Sequence, residues 1–186
     1  MTSKDIMSIK REHPNKALLE KLYQRDSMLR GMYFTKASSI EFLVRDIISY
    51  HFCTPGIDEK RHQFATILLD TYLPKVSLAE LLEKIISIDY SDLLKEYPSL
   101  FEDIHRINEY SLWLYSASLD TSRSFLDNSE LDDIIRLTYF DKSGVKHQKD
   151  VTKEEIEERI ADCFNVHFAL EDIRSEIRDR VLTNSN

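Results

Sequence analysis

In Arg45-Asp46-Ile-Ile-Ser-Tyr-His51 an arginine precedes a histidine by six residues. Such a pair can cleave RNA without a metal. The imidazole moves a proton at the 2′-hydroxyl or the leaving oxygen, and the guanidinium steadies the charged phosphate. On a helix, however, positions six apart lie about 120° apart around the axis. Arg45 and His51 therefore do not converge by local geometry alone. Glu102-x-x-His105 has the spacing of one ligand pair in a di-iron bundle, a site that also needs a second such pair and two further inward-facing glutamates. Neither a metal nor a cofactor is expected. His51 and His167 lie on or beside apolar stripes, where a neutral, hydrogen-bonded core histidine is the commoner case. Tyr110, Trp113 and Tyr115 cluster in sequence and suit either core packing or an anchor for a second chain.

The elements that must position these groups are mostly helical. Leu18, Leu19, Leu22 and Tyr23 form an apolar stripe after Pro14, and Ile40, Leu43, Val44, Ile47, Ile48, His51 and Phe52 form a longer one. Pro55-Gly56 ends that helix, and a helix capped by Asp58 carries Phe64, Ile67 and Leu68 to Pro74. Ser77-Leu-Ala-Glu80 reads as a capping box ahead of Leu78, Leu81, Leu82, Ile85 and Ile86. Asp89 or Ser91 caps a short turn through Leu94. After Pro98 the helical spacing resumes through Leu100, Ile104, Ile107, Ser111 and Leu114. Residues 116–133 read as a loop.

The pattern then becomes extended. Ile134 to Phe140 is β-branched and aromatic, Asp141-Lys-Ser-Gly144 is a turn, and a second strand follows. A β-hairpin is therefore expected at 134–151. Thr152-Lys-Glu-Glu155 opens a long helix at 152–182, with Ile156, Ile160, Cys163, His167, Leu170, Ile173 or Arg174, Ile177 and Val181 on one face. The expected fold is mainly all-α: a helical bundle with one β-hairpin inserted before a long C-terminal helix. Residues 1–186 read as a single domain with a flexible N-terminal arm at 1–14.

Composition agrees with that class. Three Gly and four Pro in 186 residues argue against a β-sandwich and against disordered or collagen-like chains. With so few glycines, a phosphate-cradling loop is not expected. The net charge of -8 disfavours RNA as a general partner. Residues 1–36 are the exception, with eight Lys/Arg against four Asp/Glu. Two cysteines, Cys53 and Cys163, suit free thiols in a reducing compartment, so a cytoplasmic location without membrane attachment is expected.

Three stretches, in order, resemble the HEPN-like helical domains of bacterial toxin–antitoxin and phage-defence systems. The first runs from Gly31 through Ile40-Glu41 to Ile47-Ile48 and Phe52. The second is Phe64-x-x-Ile67-Leu68 with Lys75-Val76, and the third is the hairpin with Gly144 and the helix after Thr152. The resemblance covers residues 28–176. Active members of that family carry an Arg-Asn-x-x-Ala-His type motif, which would fall on Ser111-Leu112-Trp113-Leu114-Tyr115-Ser116. Ser111 then stands for the arginine, Leu112 for the asparagine and Ser116 for the histidine. Serine offers neither a permanent cation nor a base near neutral pH. The resemblance thus implies a degenerate, non-catalytic member that acts through protein–protein contacts, as a homodimer or with a protein partner of a defence or toxin system. Two alternatives stand beside it. One is a metal-independent endoribonuclease using Arg45 and His51. The other is a nucleotide-binding regulatory module with its cleft between the first long helix and the helix holding Trp113.

Overall fold

No proline interrupts the chain between Pro14 and Pro55, and the first helix uses that freedom in full. In the computed structural model, helix α1 runs unbroken from Lys16 to Phe52, 37 residues. The two apolar stripes expected for separate stretches thus belong to one rod about 55 Å long. The structure describes residues 16–53, 58–66, 75–121, 134–141 and 143–183. The expected N-terminal arm at 1–14, the Pro55-Gly56 stop, and Ile67, Leu68 and Pro74 lie outside them.

Helix α2 follows at Asp58–Phe64, α3 at Lys75–Asp89, and α4 at Leu100–Ser116. A single 3-10 turn, Leu93–Lys95, separates α3 from α4. Two local expectations shift here. Helix α3 already begins at Lys75, so Ser77 lies inside its first turn rather than at the cap. The residue preceding the 3-10 turn is Asp92, not Asp89 or Ser91, and its side chain makes no cap hydrogen bond. Its carboxylate is instead taken by Arg180, at 2.6 and 3.0 Å.

Strand β2 (Ile134–Phe140) pairs antiparallel with β3 (Lys146–Thr152), Ile134 opposite Thr152 and Phe140 opposite Lys146. Gly144 closes the turn at φ 82°, a conformation that favours glycine. The Asp141 carboxylate braces it, accepting bonds from the Ser143 and Val145 amides, the Ser143 hydroxyl and the His147 ring. These bonds, the Ser143 hydroxyl's foremost, hold the Asp141 carboxyl well below the usual carboxylate range. The hairpin is not alone. Ser118–Leu119, in the stretch expected to be a loop, forms a short strand β1 on the outer edge of β2. A two-stranded hairpin is marginal in water, and a third strand extends its ladder. Helix α5, Lys153–Thr183, begins directly after Thr152.

The chain divides into two compact units. In the first, residues up to Leu29 and from Ala117 to Lys153, the buried apolar groups include Leu22, Ile135, Leu137 and Val151. Leu19 and Leu119 pack against Leu22, and the Arg25 guanidinium donates to the Ile134 carbonyl at 3.5 Å. The second unit holds Arg30 to Ser116 and the rest of α5. Its core includes Tyr33, Leu43, Ile47, Ile48, Leu82, Ile86, Leu114 and Ile177, each at most 1% exposed. Among the described residues no helix is long and apolar enough to cross a membrane.

Within the second unit, α1 and α5 run parallel and in constant register. Lys36 lies over the Phe164 ring at 4.3 Å, Ser39 meets His167 at 3.3 Å, and Arg174 reaches Asp46 at 3.4 Å. Every pair is separated by 128 residues in the chain. Helix α4 runs antiparallel to α1: Arg30 bonds the Leu114 carbonyl while Tyr33 bonds that of Ile107. The buried face of α5 is Ile156, Ile160, Cys163, Val166, Ala169, Leu170, Ile173 and Ile177. Val166 takes the buried place expected for His167, and His167 lies at the rim against Ser39.

Candidate functional site

Phe42, Arg45, Asp46 and Ser49 follow the i, i+3, i+4, i+7 rule, so α1 presents them on one face. They line a cavity of about 210 Å³ together with Arg61, His62, Ala65 and Thr66 of the α2 segment. The polar framework is built on Asp46. One carboxylate oxygen pairs with Arg61, the other with Arg174 of α5 at 3.4 Å. Arg174 is also held by Glu171 at 2.5 Å. The Arg61 guanidinium stacks over the Tyr50 ring, 4.0 Å from its centre. Arg45 pairs with Glu41 one turn earlier. Ser49 is fully buried and satisfies its hydroxyl by donating to the Asp46 carbonyl at 2.7 Å. Three helices thereby contribute to one ionic cluster.

His51 stands elsewhere. It shares the buried face of Val44, Ile47 and Ile48 and points to the end of α3. Its Nδ1 lies 3.3 Å from the Tyr90 hydroxyl, and its Nε2 lies 3.6 Å from the Asp89 carboxylate. The Tyr90 hydroxyl is pushed above its ordinary pKa, first by burial and then by Asp89. Sequence reasoning considered Arg45 with His51, whereas the histidine that shares a cavity with Arg45 is His62. The signal that separates them is helical phase: Arg45 belongs to the 42/45/46/49 face, and His51 to the 44/47/48/51 face.

The positions at which the family motif would fall are occupied by structural contacts. Ser111 donates to the Ile107 carbonyl at 2.8 Å and lies 3.3 Å from the Tyr33 hydroxyl. Tyr33 itself is fully buried and donates to the Ile107 carbonyl at 2.9 Å. Leu112 is exposed, and Ser116 donates to the Trp113 carbonyl at 2.9 Å. The aromatic cluster divides. Tyr110 turns inward and meets Tyr33 edge-on at 5.1 Å, with Trp113 at 5.3 Å. Burial, with Glu155 beside it, drives the Tyr110 pKa strongly upward. Tyr115 points outward and is 82% exposed. The α1–α4 face, considered for a nucleotide cleft, is thus joined by Tyr33, Ser111 and Arg30.

Glu102 is exposed and His105 half-buried, and among the described residues no three His, Cys, Asp or Glu side chains gather as a metal would require. Compared with known protein families, curated proteins and solved structures, the chain matches none.

Proposed function

We propose that this protein acts by binding other protein chains: a helical, HEPN-like scaffold without phosphodiester chemistry, associating as a homodimer or with a protein of a toxin–antitoxin or phage-defence system. One observation carries the reading. Arg45 and His51 are drawn to different helix faces and different partners, Glu41 for the first, Tyr90 and Asp89 for the second. A catalytic pair must converge on one phosphate. The serines at 111 and 116 supply neither the cation nor the base. Exposed aromatics on three helices, Phe42, Tyr115 and Phe168, offer the apolar area that partner chains bury.

Two measurements test this. Purified protein should leave labelled RNA intact with or without chelator, and sedimentation should show a concentration-dependent dimer or a stable complex with a co-purified protein. Chelator-resistant RNA cleavage that is lost in both Arg45→Ala and His51→Ala would establish the nuclease reading in its place.

A further inference from the structure

We infer that β3 is the seam of a homodimer: its outer edge pairs antiparallel with the same strand of a second copy, so that one sheet runs through both. The inference rests on the reading of this protein as one that binds protein chains, and it names the surface and the partner.

Strand phase fixes which backbone groups are available. The Asp141 amide donates to the Val145 carbonyl at 3.0 Å, so Val145 and every second residue after it turn their backbone groups toward β2. Lys146, Gln148 and Asp150 turn theirs the other way. Strand β1 covers the far side of β2, which leaves β3 as the edge of the sheet. Among the described residues nothing pairs with the outward N–H and C=O groups of Lys146, Gln148 and Asp150, and all of these residues are exposed. Such a row of unpaired groups is a template for another strand.

The side chains select which strand. Lys146, Gln148 and Asp150 share one face of the sheet. Run antiparallel to itself about Gln148, the strand sets Lys146 of each copy opposite Asp150 of the other, with Gln148 opposite Gln148. Shifted by two residues, each charge faces a neutral residue. Shifted by four, Lys146 faces Lys146 or Asp150 faces Asp150. Opposite charges stabilise a cross-strand pair and like charges destabilise it, so charge chooses both the partner and the register. Lys146 makes no ion pair among the described residues. Asp150 is held by Arg136 at 2.5 and 2.7 Å, and it still accepts a second cation, because a carboxylate has about four acceptor positions. On the other face His147 comes opposite Lys149, and the Asp141 carboxylate, 2.8 Å from the His147 ring, offsets that approach.

Sedimentation of the full chain over a range of concentrations tests the seam. The native protein should dimerise as concentration rises. Lys146→Glu and Asp150→Lys should each weaken the dimer about tenfold, because the symmetry turns two attractive pairs into repulsive ones. An equimolar mixture of the two variants should recover the dimer, since every pair across the seam again joins opposite charges. That recovery also shows that both variants fold. A monomer at every concentration, a dimer that either variant retains at native strength, or a mixture no more associated than its components would each overturn the seam. A retained dimer, or a monomer that holds a co-purified protein, leaves the protein-binding reading standing. Chelator-resistant RNA cleavage lost in both Arg45→Ala and His51→Ala is the separate result that removes that reading.

Discussion

Arg174, near the middle of the last helix, reaches across to Asp46 of the first at 3.4 Å, on the same carboxylate that holds Arg61. Asp46 is the more buried partner, with 15% of its side chain exposed against 28% for Arg174 and 21% for Arg61. Removing the carboxylate takes a shared anion from two guanidiniums that are largely withdrawn from water. Asp46→Asn should therefore destabilise the fold by about 1–3 kcal/mol, less than a fully buried pair because water still reaches all three groups. Asp46→Asn with Arg174→Gln should recover part of that loss. Urea denaturation of the two variants checks both statements, and a neutral Asp46→Asn would mean that the cluster contributes nothing to stability.

Tyr33 links α1 to α4 through one hydroxyl, and burial raises its pKa to about 12. An unfolded tyrosine ionises near pH 10. Between the two values the folded protein keeps a proton that the unfolded chain has lost, so stability falls as pH rises past about 10, by at most about 1.4 kcal/mol per pH unit for this group. Below pH 10 the contribution is fully present. Tyr33→Phe should lose about 1 kcal/mol at neutral pH from the missing hydrogen bond, yet show a shallower alkaline decline. Denaturation curves at pH 7 and pH 11 for both proteins test the crossing.

Gly31 sits inside the long first helix, and a methyl group added there would meet nothing within 4 Å. Glycine in a helix interior costs about 0.5–1 kcal/mol relative to alanine. Gly31→Ala should raise stability by that amount, which for a chain of this size is a melting temperature higher by about 1–4 °C. A lowered value would indicate that the position is covered by a second chain in solution.

The two thiols should differ in reactivity. Cys163 is buried, and burial with Asp162 nearby raises its pKa to about 11, whereas Cys53 is only half-buried. The thiolate is the reacting form. An aromatic disulfide reagent should modify Cys53 in the native protein and reach Cys163 only as the chain unfolds, with a rate that rises with denaturant. Equal rates in native buffer would contradict this placement of α5.

Local chemistry accounts for what the amino-acid order determined by itself. The Asp141–Gly144 turn, the helix starting after Thr152 and the mainly helical class each depend on neighbours within a few residues: a carboxylate that reaches two amides onward, a glycine free to adopt positive φ, an apolar repeat of 3.6. What lay beyond reach of the sequence depends on distant partners. Strand β1 exists because the edge of β2 offers Ser118 and Leu119 a ladder. The burial of Val166 in place of His167 reflects which side of α5 meets α1. The cavity that joins Arg45 to His62 rather than His51 appears only once α2 is laid against one face of α1. Helical periodicity says which residues share a face. Which faces meet is decided by packing among segments far apart in the chain, and there the tertiary structure alone supplied Asp46 with Arg61 and Arg174.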